Sequence, residues 1–159
     1  MATRATLGSA KFAALLASQP PTARFSLQAC DGLAEAIERQ DTSKIIALCD
    51  QYTLEIGSFG LEKGQIDTLV LGCTHYPFAG DVLRHRLGPS IRLIDTGAPV
   101  ARHTRQWLAA QHVPLQPASG AGAIMASPLT FLSTGCPATL AAAAQRWLAV
   151  DAPVTQVAC

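Results

Sequence analysis

The sequence predicts an α/β fold in which a layered, mostly parallel sheet is flanked by helices. Short apolar segments typical of strands alternate along the chain with longer segments whose apolar residues recur at helical spacing. The clearest strand comprises Ile66 and 69–71, which are apolar and lie between Gly64 and Gly72. Such a run is typical of a strand that helices cover on both faces. Because crossovers join parallel strands, the alternation favours right-handed strand–helix–strand units.

Helical spacing and end signals predict six helices, at 9–18, from Asp31 through 37, 42–59, 79–87, 99–111 and 137–148. Pro20 ends the first helix, Asp31 is expected to cap the second, and Pro137 suits the first turn of the last. Apolar runs predict strands at 25–29, 66–71, 91–94, 130–133 and 154–157. Proline and glycine after residue 112 indicate a connecting loop.

Composition limits the classes of partner. The 159 residues are 49% hydrophobic and 14% charged, with a net charge of +1, which favours neither nucleic acid nor an anionic membrane. No apolar run is long enough to span a bilayer and no signal peptide is recognisable, so a cytoplasmic location is expected. Five cysteines, an odd number without a Cys-x-x-Cys pair, argue against a disulfide framework and a structural zinc site. A small-molecule partner is the default expectation.

The candidate site lies where the central strand ends, at Cys73, Thr74 and His75. Ligands of open parallel sheets bind at the carboxyl ends of the strands. His75 and the helix that begins after Pro77 are both able to stabilise a thiolate on Cys73. A cysteine after a strand is often simply buried, but the accompanying polar residues favour a functional site.

Other interpretations of the cysteines and histidines are weaker. Two ligands, Cys73 and His75, do not complete a tetrahedral metal site, so no metal is expected. A phosphate-binding thiolate loop is disfavoured because Ala79 stands where an arginine would be needed. Cys49 falls on the apolar face of its helix, where it is expected to be a small buried residue. The three remaining histidines are expected on the surface: His85, His103 and His112.

At these residues the chain resembles a known family. Leu-Val-Leu-Gly-Cys-Thr-His-Tyr-Pro-Phe at 69–78 closely matches the second cysteine motif of bacterial glutamate racemases, in the aspartate/glutamate racemase superfamily. The segments at 2–6, 30–38, 92–97 and 131–135 are similar to further landmarks of that family, among them its threonine-bearing turn and its Cys-Pro-Gly-Leu segment ending in Ile-Glu. The resemblance covers essentially the whole chain.

The resemblance implies a cofactor-independent racemase that converts L-glutamate to D-glutamate for peptidoglycan synthesis. In that family two cysteines face opposite sides of the substrate α-carbon; one removes its proton and the other returns a proton from the other side. The match assigns Cys73 as one of these cysteines and His75 as its activating or orienting partner. Thr74 and His75 would contact the substrate, and Thr3 and Thr6 are weaker candidates for the cleft wall.

The chain also departs from the family. Asp31 replaces a usual proline, and the first-half motifs, including the Cys-Asn-Thr with the other catalytic cysteine, do not occur in these 159 residues. The chain is therefore expected to correspond to the carboxy-terminal half and to be inactive alone. Residues 1–97 would form the second racemase domain, and 98–159 would return to a first domain that is mostly absent.

Three alternatives stay open. The substrate could be aspartate or a hydantoin, because most of the side-chain pocket belongs to the absent half. The chain could instead be a non-catalytic remnant that docks onto another subunit through an exposed apolar face. The expected protein partners are a missing amino-terminal half or a second copy of the chain in a homodimer.

Overall fold

A computed structural model describes residues 1–112 and 129–158. The chain forms two compact units, Met1–Gln106 and Trp107–Cys159. The first unit carries the candidate site and most of the secondary structure. The assignment of residues 1–97 to a second racemase domain and of residues 98–159 to a mostly absent first domain stays a prediction.

The first unit alternates helices and strands. Its elements are α1 (Arg4–Leu7), α2 (Ala10–Ala17), α3 (Leu33–Glu38), α4 (Thr42–Ile56), β1 (Thr68–Val70), a 3-10 helix (Tyr76–Ala79), α5 (Gly80–Leu87), β2 (Arg92–Ile94) and α6 (Gly97–Ala110), which continues into the second unit. Side-chain caps begin three of these helices, because the oxygens of Thr3, Ser9 and Asp41 accept hydrogen bonds from the backbone N–H groups of Thr6, Phe12 and Lys44.

A parallel sheet lies at the centre of the first unit. β1 pairs with β2 in parallel, with Leu69 opposite Leu93. The extended residue Ala2 bridges in parallel to Gly72 on one side and to Ala29 on the other. The backbone N–H of Gly72 donates to the carbonyl of Met1 at 2.9 Å, so the start of the chain lies directly beside the segment that follows β1. The predicted parallel α/β architecture is confirmed.

The core lies against one face of this sheet. Its largest fully buried side chains are Tyr76, Leu33, Ile37, Leu69, Leu71, Leu83 and Cys49. Val70, between two of these core leucines, is 46% exposed, and its register partner Ile94 is 37% exposed. The prediction that helices cover both faces of the central strand is therefore wrong for the part of the chain described here, because alternate residues point to opposite faces and only one is packed.

Several predicted boundaries need correction. Residues 25–29 do not form a strand, because within this segment only Ala29 makes a bridge. Asp31 does not cap α3; Gly32 occupies the cap position with φ +78°, and the Asp31 carboxylate instead pairs with Arg4. α4 ends at Ile56 rather than at residue 59, because Gly57 adopts φ +136°, outside the helical region.

The turn after the candidate site also differs in detail from the prediction. A 3-10 helix from Tyr76 to Ala79 precedes α5, which begins at Gly80 rather than at residue 79. Pro77 lies in the first turn of the 3-10 helix, where a missing N–H costs little. A separate short helix, α1, also precedes the predicted first helix. It places Thr3 and Thr6 in their own turn.

The second unit contains β3 (Phe131–Ser133), α7 (Pro137–Leu148) and β4 (Val154–Gln156). β3 and β4 pair in parallel, with Leu132 opposite Thr155, and α7 connects them. α7 has the predicted bounds, with Pro137 in its first turn. The predicted loop around 114–122 lies outside the described residues. Among the helices of the described ranges, none has the length and apolar character to cross a membrane.

Candidate functional site

The turn that follows β1 carries the candidate site. β1 ends at Val70, and the next residues pass Gly72 into the turn that leads to the 3-10 helix. Cys73 and His75 are partly buried, and Thr74 is exposed. The turn is fixed at its start by the bond from the Gly72 N–H to the start of the chain, and at its end by the buried side chain of Tyr76.

The structure brings Cys73, Thr74 and His75 together around one ring nitrogen. The Sγ of Cys73 lies 3.9 Å from the Nδ1 of His75, and the Oγ1 of Thr74 lies 3.4 Å from the same nitrogen. The backbone bends at these three residues, and His75 adopts φ −83° and ψ −33° before the 3-10 helix, so the turn brings the imidazole back toward the thiol. The same nitrogen therefore has a thiol and a hydroxyl as its neighbours.

The other ring nitrogen of His75 faces a carboxylate. Its Nε2 lies 2.8 Å from the Oε1 of Glu38. An ionised carboxylate only accepts hydrogen bonds, so the Nε2–H donates to Glu38, and in a neutral ring Nδ1 is left as the acceptor. The result is a chain of contacts from Glu38 through His75 to Cys73, in which Nδ1 is the ring nitrogen that faces the thiol.

Glu38 is the one residue of this chain of contacts to which the sequence patterns assigned no role. It is the last residue of α3, where the negative end of the helix dipole disfavours a carboxylate. That unfavourable position is the signal that could have identified it, together with its place in the Ile-Glu pair that closes a family-like segment. The pairing itself depends on how α3 packs against the 3-10 helix.

Thr3 and Thr6 contact each other. Thr3 caps α1, accepting a hydrogen bond from the Thr6 N–H at 3.2 Å, and the two hydroxyl oxygens lie 2.8 Å apart. Because Ala2 bridges to Gly72, the Thr3 turn and the Cys73 turn leave neighbouring parallel segments at their carboxyl ends. Both turns therefore lie along the same edge of the sheet, which is the edge at which ligands bind in such folds.

The other described cysteines differ sharply in environment. Burial raises the pKa of Cys30 to about 12 and that of Cys49 to about 11, so both thiols stay protonated at neutral pH. The prediction that Cys49 is a small buried residue is confirmed. Cys136 is exposed before α7, where hydrogen bonds from the backbone and side chain of Thr139 and the backbone of Ala138 lower its pKa.

Within residues 1–112 and 129–158, no cluster of three or more histidine, cysteine, aspartate or glutamate side chains surrounds a possible metal position. His85, His103 and His112 are exposed, which confirms the prediction that they lie on the surface. At the candidate site, the thiol and imidazole groups are able to transfer protons, and Thr74 is able to form hydrogen bonds.

No family model matches the sequence. Individual relatives do match over most of the chain: glutamate racemase of Ralstonia nicotianae is 46% identical over 136 residues, or 84% of this chain. Glutamate racemase of Stutzerimonas stutzeri is also 46% identical, over 71% of this chain. The chain belongs to the glutamate racemase family. It spans about half the length of these curated relatives, covering 45% and 42% of them.

Solved glutamate racemases have the same fold. The RacE1 isoform of Bacillus anthracis superposes on 98% of this chain with a TM-score of 0.77 at 25% identity, and the chain covers 55% of it. The Francisella tularensis glutamate racemase, solved in complex with D-glutamate, covers 98% of the chain with a TM-score of 0.73 at 18% identity. The predicted racemase-like α/β fold, incomplete relative to these proteins, is thus confirmed.

Proposed function

We propose that this chain supplies one of the two proton-transferring cysteines of a glutamate racemase, the enzyme that provides D-glutamate for peptidoglycan. The observation that carries the proposal is the chain of contacts from Glu38 through His75 to Cys73 at the carboxyl end of β1. The family relationship supports glutamate as the substrate, since the relatives described above are named glutamate racemases.

Cys73 is proposed to act as a thiolate. Glu38 accepts the Nε2–H of His75, and its negative charge stabilises the ring when Nδ1 takes the proton of the Cys73 thiol. The thiolate then removes the proton from the α-carbon of glutamate. An S–H bond forms as the Cα–H bond breaks, and the electron pair remains on the substrate, delocalised toward its carboxylate. Thr74 is proposed to donate hydrogen bonds to that carboxylate.

Racemisation also requires an acid on the opposite face. A second thiol would give its proton to the planar carbanion from that side and become a thiolate, so the two cysteines exchange protonation states in each turnover. Cys30 and Cys49 are buried with raised pKa values and do not suit this role. We propose that the second thiol belongs to the part of the family's length that this chain does not span, and that the chain alone is inactive.

The test is complementation. The purified chain is incubated with L-glutamate in D₂O, alone and co-expressed with the amino-terminal half of the Ralstonia nicotianae relative. Deuterium at the α-carbon and D-glutamate are then measured by NMR and chiral chromatography. The expected result is turnover only with the second half. Cys73→Ser should abolish it, and Cys136→Ser, which changes an exposed thiol outside the site, should not.

Two outcomes would overturn the proposal. Racemisation by the 159-residue chain alone, abolished by Cys73→Ser, would show that it holds a complete site. The second outcome is a folded and assembled complemented enzyme in which Cys73→Ser leaves the activity unchanged. That result would show that Cys73 does not take part in the mechanism. Replacing glutamate by aspartate or a hydantoin in the same assay identifies the substrate, since activity on either alone would favour the related racemases.

A non-catalytic docking role is the second candidate, and the exposed pair Val70 and Ile94 on the open face of the sheet favours it. Size-exclusion chromatography separates the two. A defined oligomer of the chain alone that gains no activity on complementation would support docking. A chain that assembles with the amino-terminal half and turns over glutamate supports the racemase.

A further inference from the structure

Two phenol hydroxyls hold the segment immediately before α3. Tyr76 donates to the carbonyl oxygen of Cys30 at 3.1 Å, and Tyr52 donates to the carbonyl oxygen of Asp31 at 2.7 Å. These are the only tyrosines in the sequence. The two tyrosines lie in different elements. Tyr52 lies in α4, and Tyr76 is the first residue of the 3-10 helix, directly after His75.

The bond of Tyr76 is completely enclosed. Its side chain has no exposed surface, and burial raises its pKa, so the hydroxyl remains a neutral donor. The carbonyl of Cys30 also accepts the Leu33 N–H at 3.3 Å, where α3 begins. The Tyr76 hydroxyl therefore bonds to the same oxygen atom that anchors the first turn of α3.

The two ends of α3 are thus attached to two consecutive residues. Its beginning is held through Cys30 to Tyr76, and its last residue, Glu38, is held to His75. The inner face of the helix, Leu33, Ala36 and Ile37, is buried, and α3 packs against the 3-10 helix between these two attachments. Gly32, with φ +78°, begins the helix without a side-chain cap, so the tyrosine bonds hold an end that has no cap of its own.

We propose that Tyr76 is a positioning residue that acts through α3, holding the Glu38 carboxylate against Nε2 of His75 and so keeping Nδ1 directed at Cys73. The catalytic meaning of this role rests on the proposed function, whereas the structural coupling does not. Tyr52 secures the same segment to α4 and does not belong to the ring of contacts that closes on His75.

The test compares Tyr76→Phe with the matched control Tyr52→Phe, because each removes one hydroxyl bonded to one carbonyl. Uniform ¹⁵N labelling of histidine gives the Nδ1 and Nε2 resonances, with those of His75 assigned by His75→Gln. Glu38→Gln defines the spectrum of an unsupported ring. In Tyr76→Phe the His75 resonances should move toward that spectrum. In Tyr52→Phe they should stay at the wild-type positions, while both variants keep a cooperative thermal transition.

Wild-type His75 resonances in a folded Tyr76→Phe protein would overturn the proposal, as would equal displacement by both tyrosine variants. If Tyr76→Phe does not fold, a second measurement replaces it. In Tyr52→Phe protein grown with 3-fluorotyrosine, residue 76 carries the only fluorine. Its ¹⁹F resonance should shift with Glu38→Gln and not with Glu35→Gln, which changes a carboxylate on the same helix that pairs with Arg39. No ¹⁹F response to Glu38→Gln would also overturn the proposal.

These measurements need no racemisation. An inactive complemented enzyme with coupled His75 and Tyr76 resonances would count against the proposed function and leave the positioning role intact. An active complemented enzyme whose rate is unchanged by Tyr76→Phe, and whose His75 resonances do not move, would support the proposed function and count against the positioning role of Tyr76.

Discussion

The Nε2 of His75 lies 2.8 Å from the Oε1 of Glu38, at the end of a helix whose other end is bonded to the residue after His75. Both partners are partly exposed, with 34% and 61% of their side-chain surface accessible. Water therefore screens the pair, and we expect its contribution to stability to be small. Its larger effect is expected to be on the orientation of the imidazole.

Glu38→Gln should separate these two effects. The loss of stability is expected to be below about 1 kcal/mol, as for other solvent-exposed ion pairs. The rate of alkylation of Cys73 by iodoacetamide at pH 7 should fall several-fold, because the protonated ring that accompanies a thiolate loses its carboxylate. Peptide mass spectrometry follows the modification. Glu35→Gln is the control, and an equal fall in that variant would contradict the role of Glu38.

The core beneath the site should be sensitive to truncation. Leu71 is completely buried next to Gly72, so Leu71→Ala should lower the free energy of unfolding by about 2–5 kcal/mol, because it leaves a cavity. Leu54→Ala, on a side chain that is 69% exposed, should change it by less than about 0.5 kcal/mol. Urea denaturation measures both. Similar losses in the two variants would show that the core does not lie where the structure has it.

Alkaline pH should destabilise the fold through Cys49. Its pKa rises from 9.0 to about 11 on burial, so above pH 9 the unfolded chain loses a proton that the folded chain keeps. The stabilisation is complete below pH 9 and is lost as the pH rises through 11, a change of about 2–3 kcal/mol. Cys30 acts in the same direction. Unfolding free energies from pH 8 to 11 should fall less steeply in Cys49→Ala; an unchanged slope would contradict the assignment.

Thiol labelling should follow the environments of the cysteines. Cys136 is exposed and its pKa is lowered by donors from Thr139 and Ala138, so it should be alkylated well before Cys30 and Cys49, which should react only on unfolding. Thr139→Val removes one of those donors and should slow the reaction modestly, since the backbone donors remain. Rapid labelling of Cys49 in native protein would contradict its burial.

Sequence patterns predicted the elements whose signals are local. The spacing of apolar residues and Pro137 predicted α7 with its observed bounds, and the apolar run before Gly72 located β1. Such local patterns did not predict contacts between segments that are distant in the sequence. Residues 25–29 have strand-like composition but bridge only at Ala29, and Asp31, which looks like a cap, turns instead to Arg4. Glu38 joins the site only because α3 packs against the turn.

The candidate site itself was predicted as far as adjacency in sequence allows. Cys73 and His75, two residues apart on one turn, were expected to have their side chains on the same side, and the Sγ of Cys73 lies 3.9 Å from the Nδ1 of His75. Thr3 and Thr6 were expected near the cleft; their hydroxyls bond each other at the start of α1, and their place in a cleft stays a prediction. A side chain that caps a helix and one that binds a ligand have the same composition, so sequence does not distinguish them. Whether any of these residues acts on glutamate stays a prediction.

The position of Met1 matters for handling the protein. Met1 is buried, its amino group donates to the carbonyl of Val70 at 3.1 Å, and burial lowers the pKa of that amino group. Desolvation of the ammonium form is the cause of this lowered pKa, because burial disfavours a charged group. An affinity tag fused to Met1 would begin next to a segment that lies between two others, because Ala2 bridges to both Ala29 and Gly72. The linker residues that join the tag to Met1 would therefore have to be extended and free of proline.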